Sequence, residues 1–234
     1  MNTHKYKVTK ENDLVTLAPI TGRIKQTLIF LHGWGQSGSE WVDYFIQGNA
    51  TPDQTKIVLP TAPIRHTTFY QRKDNAWFDF YTLKNSQEDT SKIGNIDHMH
   101  ESSNIITKIL DKEVDEIGDS RRCIIGGFSQ GAFISSLVWK NYPKPLGGLI
   151  IYSGSADKNT LVGEAQENSP VFYSQGLEDR VFLHEHGIEN NMNLDNGKRK
   201  FVYVTREGLG HGVDNVTRVK TKAFIEEVAT RPKL

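Results

Sequence analysis

The chain reads as an α/β protein built on a mostly parallel sheet, and three observations lead there. Short apolar runs recur at 26–31, 56–59, 123–125, 149–152, 171–173 and 201–204. Each is hydrophobic with little alternation, the pattern of a strand covered on both faces. Longer helical segments lie between them, and parallel neighbours need such crossovers.

Taken in order, residues 1–22 are polar at first and serve as an N-terminal extension or as the first strands. The segment 64–89 breaks the regular pattern, being long, aromatic and poorly periodic. Loops of that length inside a compact domain are usually functional or mobile. Residues 96–117 place Met99, Ile105, Ile106, Ile109, Leu110, Val114 and Ile117 at helical spacing, with charges on the other side. A second helix is expected over 130–141, stopped before Pro143, and a third over 214–230. No repeat, low-complexity tract or Pro/Gly/Ser linker divides the chain, so residues 1–234 are read as one domain.

Composition narrows the function without naming it. Lys+Arg 28 against Asp+Glu 28 gives zero formal charge, which excludes a polycationic nucleic-acid binder and a polybasic membrane anchor. Hydrophobic residues at 37% and charged residues at 24% are ordinary for a soluble globular chain. The lone Cys123 can neither close an intramolecular disulfide nor build a thiolate metal site. The N-terminus lacks an apolar stretch of secretory length and the longest apolar runs have strand length. The expectation is a cytoplasmic protein without a stable membrane anchor, metal or cofactor.

Chemistry enters at positions 123–131, CIIGGFSQG. Gly127-Phe128-Ser129-Gln130-Gly131 is a G-x-S-x-G sequence between an apolar strand and a helix. Such a turn is a nucleophile elbow, in which the serine sits on a strained turn with its hydroxyl exposed. A serine needs a base and the base an orienting carboxylate, and in this arrangement both follow the serine on loops after later strands. After 171–173 the chain offers Glu178 and Asp179; after 201–204 it offers His211 in GLGHG. Ser129, Asp179 and His211 have the required order, with Glu178, Asp157 and Asp214 competing for the acid's place. Two backbone N–H groups should hold the oxyanion: that of Gln130, after the serine, and that of Trp34, in the loop following 26–31. His32 precedes the serine and is expected to brace that loop. His98 and His100 are two residues apart on a helix and so face differently; with His184 and His186 they read as surface histidines.

These residues resemble a known family. LHGWGQSGSEW at 31–41 is similar to the L-H-G-x-G opening of the phospholipase/carboxylesterase group, which includes acyl-protein thioesterases and lysophospholipase-like esterases. The similarity continues through LPTAP at 59–63, WFD at 77–79, SQED at 86–89 and GGFSQG at 126–131. The resemblance implies an α/β-hydrolase fold: a mostly parallel central sheet flanked by helices, with no separate lid domain. It also implies hydrolysis of carboxylic esters, lysophospholipids or acyl-protein thioesters without metal or organic cofactor, with Ser129, Asp179 and His211 as the catalytic residues.

Two segments depart from the family pattern. Gln175 stands where a His-Gly-x-x-Asp motif usually begins, with Arg180 and Phe182 beside the aspartate. Trp34 replaces a smaller residue and Gln36 the common aspartate. An indole beside the nucleophile narrows the acyl site, which points to short- or medium-chain esters.

Trp34, Trp41, Phe69, Tyr70, Trp77, Phe78 and Phe182 are candidates to line the acyl groove, though at least half of such aromatics belong to ordinary core packing. The leading expectation is a serine carboxylesterase acting on a small-molecule ester, as monomer or homodimer. The alternatives are an acyl-protein thioesterase or lysophospholipase acting on lipid or acylated protein, and a catalytically silent binding module.

Overall fold

The computed structural model describes residues 5–82, 92–157 and 160–230. The SQED motif at 86–89 lies outside them. Among the described residues eight strands form one sheet, in the order β1 (Tyr6–Glu11), β2 (Leu14–Pro19), β4 (Thr55–Pro60), β3 (Gln26–Leu31), β7 (Cys123–Phe128), β8 (Gly148–Tyr152), β9 (Val171–Gly176) and β10 (Phe201–Arg206). Its centre is β3, β4, β7, β8, β9 and β10. All neighbours among these six run parallel. The sequence places this set correctly, β3 with its bounds unchanged and the other five strands extended by one to three residues at an end.

Residues 6–19 turn out to be strands. β1 (Tyr6–Glu11) and β2 (Leu14–Pro19) form an antiparallel hairpin whose second strand pairs with β4. The segment 64–89 is not one irregular loop either. It contains a small hairpin, β5 (Ile64–Thr67) and β6 (Arg72–Asn75), outside the main sheet.

Helices cover both faces. α2 (Ile96–Ile117) and α3 (Gln130–Asn141) match the expected bounds, and α5 (Asn215–Thr230) starts one residue later than expected. Two short helices, α1 (Val42–Ile46) and α4 (His184–Asn191), complete the set among the described residues. Within each strand alternate residues go to opposite cores. Ile29, Leu31, Ile125 and Ile151 meet α2 and α3, whereas Leu28, Phe30, Ile124 and Ile150 meet α1 and α5. Cover on both sides explains the unbroken apolar runs. Cys123 is fully buried in this sheet, and burial pushes its thiol up to about 12. Among the described residues no helix is long and apolar enough to cross a membrane.

The topology fixes where a site can form. From β3 the chain passes to β4 on one side, then returns to β7 on the other. The strand order reverses there, and crevices open beyond the carboxyl ends of strands at such a point. The loops after β3 and β7 lie on that crevice, and those after β8, β9 and β10 adjoin it.

Candidate active site

Ser129 follows β7 and caps the N-terminus of α3 with φ 53° and ψ −118°. This is a left-handed conformation that L-residues adopt only when the surroundings enforce it. The enforcement is visible: Ser129 N–H donates to Tyr152 C=O on β8 at 2.9 Å, and its own carbonyl accepts Ala132 N–H at 3.0 Å. Sharp turning demands close backbone approach, and two glycines supply it. A Cβ on Gly127 would strike the backbone of Gly131 and Ala132, and one on Gly131 the carbonyls of Leu31 and His32.

The loops after β9 and β10 are pinned together by their backbones. Leu177 N–H donates to Arg206 C=O at 2.9 Å and Glu178 N–H to Leu209 C=O at 3.1 Å. Their side chains meet as a result: His211 Nδ1 lies 2.8 Å from Asp179 Oδ2. The other oxygen of Asp179 accepts the N–H groups of Val181 and Phe182, both at 2.9 Å. The competitors are occupied elsewhere. Glu178 is exposed, Asp157 accepts from Thr160, and Asp214 pairs with Arg206 at 2.7 Å. The imidazole of His211 rests on Phe128 with ring centres 4.8 Å apart, and Ser153 Oγ donates to the carbonyl of the next residue, Gly212, at 3.0 Å. Ser129 and His211 line one cavity, without a hydrogen bond between them among the described residues.

The loop after β3 is built around His32. Its ring is fully buried, which lowers it to about 4 and keeps it neutral near pH 7. Nδ1 binds Gly33 C=O at 2.6 Å and Nε2 accepts Ala62 N–H at 2.9 Å, so the tautomer is set by its partners. Gln36 Oε1 accepts Gly33 N–H at 2.9 Å, and Asn75 of β6 holds Gly35 N–H and Gln36 C=O. Neither Trp34 N–H nor Gln130 N–H has an acceptor among the described residues, which leaves both donors available at the crevice. The side chain of Gln130 is used structurally, accepting Trp77 N–H and donating to Phe78 C=O.

Over residues 15–229 the sequence matches the phospholipase/carboxylesterase family. The chain belongs to this family. It is 29% identical over 215 residues to lysophospholipase-like protein 1 of Mus musculus, covering 88% of this chain and 87% of that protein. Against acyl-protein thioesterase 1 of Eremothecium gossypii the identity is 28% over 225 residues, covering 90% and 93%. The crystal structure of Zea mays acyl-protein thioesterase 2 superposes with a TM-score of 0.79 at 22% identity, covering 92% of this chain and 98% of that one. The α/β-hydrolase fold of the family is therefore the fold of this chain, and the protein is an ester hydrolase.

In this family member the cavity beside Ser129 has a volume of about 300 Å³. Trp34, Tyr70, Phe78, Phe80, Phe128 and Phe182 form much of its wall. Trp34 stacks on Tyr70 with ring centres 3.8 Å apart, and the Arg72 guanidinium lies 4.7 Å from the indole. Of the expected groove residues, Trp34, Tyr70, Phe78 and Phe182 line the cavity. Trp77 and Trp41 do not. Trp77 is fully buried and donates its indole N–H to His32 C=O at 2.8 Å, and Trp41 packs on Phe30. Phe69 stands one layer out, stacked on Phe80 at 5.5 Å and 41% exposed. Sequence reasoning missed Phe80, Phe133 and Ser155, which also line the cavity. Phe80 follows the WFD motif by one residue, and Phe133 lies one helical turn past Ser129, so the 3.6-residue period alone would have pointed to it. His98 is no plain surface histidine, since it accepts Asp79 N–H at 3.3 Å.

Proposed function

We propose that the chain is a serine carboxylesterase that hydrolyses short- to medium-chain esters through an acyl-enzyme. The observation that carries this reading is the 2.8 Å contact of His211 with buried Asp179, at a cavity that His211 shares with the strained Ser129. His211 takes the hydroxyl proton as Ser129 Oγ attacks the ester carbonyl. Asp179 holds the imidazole in the tautomer that leaves Nε2 free to accept, and stabilises the imidazolium. The oxyanion is received by the N–H groups of Trp34 and Gln130, the latter at the N-terminus of α3. Collapse expels the alcohol with the proton from His211, and a water activated by the same ring releases the acid. Neither metal nor cofactor enters these steps.

Support for a short acyl chain comes from the cavity walls, where the stacked Trp34 and Tyr70, with Phe80 and Phe182, crowd the space beside Ser129. A short or medium acyl group with its carbonyl fills that space, whereas a palmitoyl chain would project from it. Phe69 and Tyr70 at the outer edge, 41% and 40% exposed, favour the second reading, in which a longer acyl chain of a lipid or acylated protein extends across them. One experiment separates the two: p-nitrophenyl esters from acetate to palmitate, with wild type and Ser129→Ala. A rate maximum at four to eight carbons, abolished in Ser129→Ala, supports the first; a maximum at palmitate supports the second. No turnover at any length rejects both and leaves a binding module. We place this activity in one domain spanning residues 1–234, in the cytoplasm, as a monomer or homodimer.

A further inference from the structure

Gln175, the fifth of the six residues of β9, is fully buried, yet its side chain is wholly polar at its end. Its NH2 group faces two acceptors at once, Asp179 Oδ2 at 2.9 Å and Phe182 C=O at 2.8 Å. Neither a carboxylate nor a carbonyl can donate, so the end of the carboxamide that meets them is the nitrogen. The remaining oxygen accepts the Tyr173 hydroxyl at 3.4 Å. Burial pushes that phenol up, so it stays a donor. Every polar atom of the side chain is thus engaged, and two of its three bonds go to the loop that carries Asp179.

We infer that Gln175 is a positioning residue of the hydrolytic site, holding Asp179 in the one orientation that serves His211 while tying it to the cavity wall at Phe182. The inference rests on the triad proposed above and adds to it. The N–H groups of Val181 and Phe182 fix Oδ1 alone, and a carboxylate held at one oxygen can still pivot about it. The bond from Gln175 is the second anchor, placed on the same oxygen that receives His211 Nδ1. Because the donor is neutral, it restrains the carboxylate without cancelling its charge, as a lysine or arginine there would. Because an amide does not titrate near neutrality, the restraint persists across the pH range in which a histidine base works. The bond to Phe182 C=O has a second effect: the residue that shapes the acyl site and the residue that orients the base are held by one side chain.

The groups around the pair leave Gln175 as the determining neighbour. Tyr173 on β9 remains neutral, and Tyr203 on β10 is likewise pushed up by burial and contacts His184 of α4. Arg206 and Asp214 neutralise each other, and Glu178, Arg180 and Glu207 are exposed. Removing the Gln175 donor concentrates negative charge on Oδ2. That stabilises protonated His211, so activity is lost at a higher pH on acidification.

The test compares wild type, Gln175→Met, Gln175→His and Ser129→Ala with p-nitrophenyl butyrate. It reads kcat, KM, the acid limb of kcat/KM against pH, and the far-downfield proton NMR signal of the His211–Asp179 hydrogen bond. Gln175→Met keeps the length and removes both donors. Losing a hydrogen bond to a charged group should lower kcat on the order of ten- to a hundredfold. KM should change by less than about threefold, since the bond serves the transition state and not ground-state binding. The acid limb should move up and the downfield signal shift or vanish. Gln175→His, with one ring N–H to offer Asp179, should recover most of kcat. The midpoint of the acid limb does not depend on how much of the variant is folded. If Gln175→Met gives no folded protein at all, Gln175→Glu decides: it has the same shape, cannot donate to both acceptors, and should move the limb up. A folded Gln175→Met or Gln175→Glu with wild-type kcat and acid limb overturns the inference while an inactive Ser129→Ala leaves the esterase reading intact. Wild-type turnover by Ser129→Ala overturns that reading, and the role of Gln175 with it.

Discussion

The ring of His32 grips the carbonyl of Gly33, its immediate neighbour, at 2.6 Å. A trans peptide points its C=O and N–H in opposite directions, so fixing the Gly33 carbonyl turns the Trp34 N–H the other way. A buried neutral imidazole thereby sets the direction of a backbone donor that it never touches.

Stability should carry the mark of that imidazole. The folded value of His32 is about 4 and an unfolded histidine titrates near ~6.5. The unfolded chain therefore takes up the proton first on acidification. The stability is fully present above the unfolded value and declines as pH falls from it toward the folded one, by up to about 3 kcal/mol. Urea melts of wild type and His32→Gln between pH 7 and pH 4 should show a shallower decline in the variant. Parallel declines would show that His32 is not what titrates.

Asp179→Asn should leave the fold intact and lower kcat on the order of 10⁴-fold, because an amide stabilises the wrong imidazole tautomer and no imidazolium. Glu178→Gln, one residue away and exposed, should stay within about twofold of wild type, as exposed side chains outside a network usually do. Steady-state kinetics on both variants checks the choice between neighbours.

Trp34 contributes its backbone N–H to the proposed oxyanion site and its indole to the cavity wall. Trp34→Ala should therefore keep catalysis and enlarge the pocket, moving the optimum of the p-nitrophenyl ester series to longer chains. Tyr70→Ala, which removes the stacking partner at 3.8 Å, should move it the same way. An unchanged optimum in both would place the length limit elsewhere.

Gly131→Ala should be severely destabilised, since its Cβ would meet two backbone carbonyls that cannot retreat. Overpacking against fixed backbone costs roughly 1–3 kcal/mol or more. Gly212→Ala has open space around the added methyl and should melt within a degree or two of wild type. Thermal melts of the pair distinguish steric necessity from glycine's flexibility.

What could be read from the sequence was whatever the chain encodes locally. β3 and α2 have the predicted bounds because two-faced burial gives an unbroken apolar run and one-faced burial gives helical spacing, whereas α3, buried on nearly every side, is bounded by the elbow before it and Pro143 after it. β1 gives no clear strand signal because its side chains alternate only weakly and most are exposed. The β5–β6 hairpin escaped because it packs outside the sheet and its strands, IRHT and RKDN, are polar. At the site, Ser129, Asp179 and His211 follow from motif and chain order. The structure adds the physical reason that Asp179, and not Asp157 or Asp214, meets the histidine: the loops after β9 and β10 bond to each other. Trp77 resembles a groove residue in sequence because an aromatic looks the same whether it faces substrate or supports His32 from behind. The side chain of Gln130 bonds Trp77 and Phe78, 53 and 52 residues away in the chain, a separation that no local pattern records.

The sealed thiol of Cys123 has a practical bearing on all these measurements. With its proton held up to about 12 inside the central sheet, it offers no thiolate to alkylating reagents or peroxide. Reducing agents can be left out of every assay, and thioester substrates can be followed with thiol-trapping dyes without background from the enzyme itself. Covalent labelling by an electrophile that spares hydroxyls would then report unfolding and not catalysis, giving a built-in gauge of integrity for each variant.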